Sequence, residues 1–169
     1  MQSKNKSAVE KHLEQALANE NLAQHINCSC KGACFFNWFY VALFYSAMHY
    51  FGAFLESRGQ HLPRVHAGDE GALSLAKDKF VYIDNKEGKS MSAGEDYSAL
   101  FDWRHDACYK FGTKFFPKDS KVGIDALERI KFVVFSQTKM KIKLSKKKNF
   151  IVEKLTNNEL KLMREAVDI

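Results

Sequence analysis

Proline is almost missing from this chain: there are two in 169 residues, and only nine glycines. Long stretches therefore run without a helix breaker, which favours helices over a turn-rich β architecture. Cysteine is scarce too. Cys28, Cys30, Cys34 and Cys108 are too few and too clustered for a disulfide framework. Residues 1–20 are polar and amphipathic with no apolar core, so no secretory signal is expected, and free thiols in a reducing cytoplasm follow. No internal repeat or low-complexity segment occurs. A membrane span needs about 20 consecutive apolar residues. The one apolar stretch of that size, 35–55, is interrupted by Asn37, Ser46 and His49, so no membrane contact is expected.

What is present fits one soluble domain, with 46% hydrophobic and 27% charged residues. The organising stretch is 35–59, FFNWFYVALFYSAMHYFGAFLESRG, where large side chains recur at three- and four-residue spacing and fill most of the remaining face. A helix apolar nearly all round is a buried one, and Phe39, Leu43, Met48 and Phe54 are expected in its core. Before it, the capping box Ser7-Ala-Val-Glu10 opens an amphipathic helix to about Ile26. Gly59 suits a left-handed helix end. A shorter helix over 66–80, a polar exposed loop over 81–94, and a helix opened by Ser92-Ala-Gly-Glu95 follow. A further helix spans 123–137. Beyond Thr138 the period falls to two, with Met140, Ile142 and Leu144 alternating with lysines. A hairpin closed by 149–152 and an extension of the preceding helix are both consistent with it. Thr156-Asn-Asn-Glu159 introduces a last short helix. The expected fold is all-α, an antiparallel up-and-down bundle of four to five helices over 1–137, with a lysine-rich extension over 138–169 carrying a small hairpin and short helix.

Net charge is +6, and Lys139, Lys141, Lys143, Lys146, Lys147 and Lys148 place six lysines in ten residues. Such a run attracts phosphate backbones through counterion release or merely keeps a surface solvated. Arg58, His61, Arg64 and His66 gather near the exit of the central helix, and guanidinium and imidazolium groups pair well with phosphate. His49 lies mid-helix among aromatics, where a histidine is ordinarily a core residue. The cluster at Cys28, Cys30 and Cys34 contains metal-ligand chemistry, but a structural zinc site draws paired ligands from two separated stretches. Only Cys108 or His25 could complete it, so no metal and no cofactor is assigned. Arg104-His105-Asp106 interrupts an apolar helix. An arginine can stabilise developing phosphorane charge while a histidine moves a proton, although adjacent helical residues point about 100° apart.

HLEQA at 12–16, WFYVALFYSAMH at 38–49, LESRG at 55–59, PRVH at 63–66 and YSALFDWRHDACY at 97–109 resemble the HEPN superfamily across about residues 8–135. The resemblance implies an antiparallel helical bundle, a homodimer, RNA or nucleotide as ligand, and a partner protein encoded nearby, in a toxin–antitoxin or anti-phage defence system. In active members an arginine is followed after about four to six residues by a histidine, forming a ribonuclease site across the dimer. Arg104 takes the arginine position, but His105 follows at once, and Arg58, Arg64, Arg129 and Arg164 also lack a histidine at that spacing. The resemblance therefore implies RNA or nucleotide binding first, and the pattern of basic residues offers His49, Arg58, Arg64, His66, Lys141, Lys143, Lys146 and Lys147 as anion contacts. The alternatives are a metal-independent endoribonuclease using Arg104 with His105 or His49, and Asp106 beside them, or a helical protein-interaction module without nucleic-acid contact.

Overall fold

A computed structural model describes residues 6–29, 33–62, 75–76, 81–84, 89–144 and 150–166. Their architecture is a mostly helical bundle of the kind the periodicities predict. Five helices are α1 (Ala8–Ser29), α2 (Ala33–Glu56), α3 (Ala93–Tyr109), α4 (Ser120–Thr138) and α5 (Asn157–Ala166). Two antiparallel hairpins join them, β1 (Val81–Asp84) with β2 (Lys89–Ser92) and β3 (Met140–Leu144) with β4 (Phe150–Lys154). Of the helix predicted over 66–80, Leu75 and Ala76 are helical and the rest lies outside the described residues.

The order of side-chain contacts gives the directions. Early α1 meets late α2, with His12 on His49 and the Ser46 hydroxyl donating to the Ala16 carbonyl at 2.9 Å. Between α2 and α3, Asn37 meets Ala107, Tyr40 meets Trp103, and Phe44 meets Phe101 and Tyr97, so numbers rise on one helix as they fall on the other. Gly123 lies against Tyr40 and Leu43 while Phe135 lies against Tyr50, so α4 runs with α2. The result is an up-and-down bundle with α2 packed against α1, α3 and α4.

That central position explains why α2 is so apolar. Phe36, Phe39, Tyr40, Leu43, Phe44, Ala47, Tyr50, Phe51, Phe54 and Leu55 are all buried, and each large side chain of this kind contributes about 1.5–3 kcal/mol. Met48 differs from expectation in being only partly buried. Trp38 and Tyr45 are 60% and 38% exposed. They fall seven residues apart, two helical turns, and so share one face of α2 that the neighbouring helices leave open.

Caps were readable and mostly formed. The Ser7 hydroxyl accepts from the Glu10 N–H at 3.2 Å, and the Glu10 carboxylate accepts from the Ser7 N–H at 2.7 Å. Thr156 and Glu159 repeat the exchange at 3.3 and 3.0 Å. Ser92 makes no side-chain cap, because it is also the last residue of β2 and is paired with Val81. The segment predicted as a polar loop over 81–94 thus contains a hairpin. Gly59 has a φ of 69° and closes α2, with the Gln60 N–H donating to the Leu55 carbonyl at 2.9 Å. Period two beyond Thr138 proves to be the hairpin. Lys139 ends α4 in the left-handed conformation, φ 56°, and its carbonyl accepts from the Leu155 N–H at 2.9 Å. Ile142 is buried, and β3 packs on α1 and α4, so the C-terminal extension rests on the bundle.

Asn37 illustrates a polar residue used for architecture. Its amide donates to the carbonyls of Ala107 and Thr113 at 3.3 and 3.2 Å, and its oxygen accepts from the Phe115 N–H at 3.3 Å. One side chain thereby ties the chain leaving α3 to the start of α2. Asn37→Ala strips a partner from three backbone groups at once. It should cost about 1–3 kcal/mol in urea unfolding, without a change in m-value.

Candidate nucleic-acid interface

On the open face of α2 a cation meets aromatic rings. Arg104 projects from α3 onto it, with its guanidinium 5.2 Å over the Phe44 ring, 5.9 Å over Tyr45 and 5.6 Å over Phe101. Three ring faces under one cation fix the guanidinium plane by quadrupole attraction as well as by packing. Phe44 is buried, and Phe101 is partly buried and packed against the core, so this floor is rigid. Tyr45 is both floor and exposed wall, and Trp38 stands two turns back along the same face. The arrangement offers a cation next to upright aromatic surface, which suits a phosphate and a base better than either alone.

The other two members of the Arg104-His105-Asp106 group leave this face. His105 is exposed and its ring lies 5.2 Å from that of Tyr109, one turn on. Asp106 pairs with Lys110 at 3.3 Å. Helical geometry separates Arg104 from His105 as the 100° step requires, and one chain does not bring the two to a common point.

His49 faces α1, where its Nδ1 lies 3.1 Å from Nδ1 of His12. Burial first, and then the neighbouring His12, push it down to about 4, and burial also lowers His12 against the opposing pull of Glu56. Both rings are therefore neutral near pH 7. Arg58 lies 4.3 Å over Phe54 and donates to the Gln137 side chain at 3.1 Å, fastening the exit of α2 to α4. It is fourteen residues from Phe44, about 21 Å along the helix, so it belongs to a different part of the surface from Arg104. Arg64, His66, Lys146 and Lys147 lie outside the described residues.

Lys141 and Lys143 are placed on β3 but are answered by carboxylates. Lys141 pairs with Glu159 and, at 3.7 Å, with Glu153; Lys143 pairs with Glu153 at 2.7 Å. Hydrogen bonds from Lys141 and Thr156 hold Glu159 down to about 2. Lys141 thus joins the hairpin to α5, while Lys143 ties β3 to β4. Cys28 and Cys108 are exposed, Cys30 lies outside the described residues, and among the described residues no group of three or more His, Cys, Asp or Glu side chains could hold a metal. Likewise, among those residues no helix is long and apolar enough to cross a membrane.

The residue pattern did not mark Trp38 and Tyr45 as exposed, and it gave His12 no role. The seven-residue spacing of Trp38 and Tyr45 places them on one face, but nothing in the residues marks that face as open. His12 gave none, because its partner is 37 residues away. Comparison of the chain with protein-family models, with curated proteins and with solved structures returned no match. The functional reading rests on the residues themselves.

Proposed function

We propose that this chain is an RNA- or nucleotide-binding helical protein, HEPN-like in the sense its motifs resemble, acting as a homodimer in a toxin–antitoxin or anti-phage defence system. The observation that carries the reading is the Arg104 guanidinium seated on Phe44, Tyr45 and Phe101, beside the exposed rings of Tyr45 and Trp38. A single-stranded nucleic acid needs a cation for its backbone and ring faces for its bases, and every base has a face to stack. The net charge of +6 supports the reading by drawing polyanions to the surface. Catalysis by Arg104 needs a histidine delivered by a second copy, since His105 of the same chain faces elsewhere.

The test is a titration of a labelled single-stranded RNA at 50 and 200 mM salt. Affinity should fall steeply between the two, as released counterions require. Trp38→Ala, a change at an exposed position, should weaken binding by about five- to a hundredfold, the range for losing one stacked base. Arg104→Ala should weaken it and flatten the salt dependence. Absent or salt-insensitive binding overturns the reading and leaves a protein-interaction module. RNA cleavage in EDTA that Arg104→Ala abolishes would establish the ribonuclease alternative.

A further inference from the structure

The contact between His12 and His49 has a chemistry that neither the bundle nor the aromatic face requires. Two Nδ1 atoms 3.1 Å apart form a hydrogen bond only if one carries a proton and the other a lone pair. The pair therefore fixes opposite tautomers on its two rings. The approach is built into the backbone: a Cβ on Gly52 would lie 2.5 Å from Leu62 Cδ1 and 2.6 Å from His12 Nδ1, so only glycine lets the α1 ring reach α2 here. The ring centroids are 5.3 Å apart at 45°, too tilted for stacking to be the purpose.

We propose that the His12–His49 contact is an acid-sensitive latch between α1 and α2, closed while the facing nitrogens share one proton and released when both rings are charged. A first added proton can settle on an outward Nε2 and leave the shared proton in place. A second cannot, because both facing nitrogens would then be donors and two cations would lie within van der Waals reach in a half-buried interface. Glu56, near the end of α2, draws a proton toward His12, but its carboxylate is also held by His61 at 2.6 Å. Among the described residues, charged groups on the neighbouring elements pair with one another: Asp96 of α3 with Arg129 of α4, Lys131 of α4 with Glu20, and Lys141 of β3 with Glu153 of β4 and Glu159. No cluster of three or more ligand side chains among the described residues offers a metal explanation for the close nitrogens.

The sign follows from burial. His49 in the fold is held at about 4, below its ordinary 6.5, so between these values the unfolded chain binds more protons. Stability from the latch is complete above pH 6.5 and is lost as pH falls toward 4. For one ring, discounted for partial exposure, the folding equilibrium constant should fall about ten- to a hundredfold across that window. The experiment is an imidazole nitrogen NMR titration of the wild-type protein from pH 8 to 4.5, with urea unfolding at each pH. The expected result is opposite neutral tautomers on His12 and His49 at pH 8, and charging of both rings displaced below the ordinary histidine range. His12→Gln keeps a hydrogen-bonding group but removes one charge, so its acid loss should be smaller than the wild type's, with the part due to burial of His49 remaining. Rings of identical tautomer that charge independently near pH 6.5, or a His12→Gln protein with the full acid loss, overturn the latch. The NMR readout decides the matter even if the variant does not fold.

Discussion

Lys131→Met should destabilise the fold by about 3–5 kcal/mol, the range for removing one partner of a buried ion pair. For a chain of this length that is a fall in Tm of roughly 10 °C. Glu20 is 6% exposed, and its two carboxylate oxygens are divided between the Lys131 ammonium at 2.8 Å and the Tyr50 hydroxyl at 2.9 Å. Lys131 in turn also meets Glu128 at 2.8 Å. Burial works against the ammonium, but the two carboxylates outweigh it and raise the Lys131 pKa. Burial and the same carboxylate raise Tyr50. Without Lys131, Glu20 is a buried anion left with two neutral donors, the Tyr50 hydroxyl at 2.9 Å and the Gln24 amide at 3.4 Å, and taking up a proton relieves it. The defect should therefore ease as pH is lowered, and Glu20→Gln added to Lys131→Met should restore part of the loss. Measured unfolding of the two single variants and the double variant closes the cycle. A Lys131→Met protein within 1 kcal/mol of wild type (roughly) would show that the charge is solvated in place.

The second large effect is at Phe44. Phe44→Ala removes a buried ring that meets Tyr45, Tyr97 and Phe101, each with centroids 5.6 Å away, and should cost about 3–5 kcal/mol. It also removes the nearest ring beneath Arg104. Phe44→Leu separates the two consequences. It keeps most of the apolar volume, so the stability loss should be about 1.5 kcal/mol or less, yet it offers the guanidinium no π face. RNA affinity should then fall several-fold in a protein that unfolds almost as the wild type does. Equal affinity in Phe44→Leu would mean that the ring serves the core alone.

How much of this was legible from the residues depends on the range of the interaction involved. Local rules worked where the partners are three or four residues apart. The Ser7–Glu10 and Thr156–Glu159 caps formed as written, Gly59 took the left-handed position, and period two after Thr138 became β3. The β1–β2 hairpin was hidden because KSMS has no apolar alternation to mark it, and Ser92 was claimed by the strand rather than by the helix cap. Asn37, Ser46 and His49 were visible as polar exceptions in an apolar helix. Their partners, at Thr113, Ala16 and His12, were not, since those contacts are set by how whole helices pass one another. For the same reason hydrophobicity alone could not tell that Trp38 stands in solvent while Phe36, two residues away, is fully buried.

Lys139 carries a consequence for how this chain tolerates change. Its left-handed backbone lets the polypeptide stop counting in steps of 3.6 and begin counting in steps of two. Immediately after it the phase is set: Ile142 is turned into the core, and Lys141 and Lys143 are turned to their carboxylates. One extra residue between Lys139 and Met140 would exchange those roles along the whole strand, driving ammonium groups inward and aliphatic groups outward. The joint therefore holds the length of the chain fixed at this point.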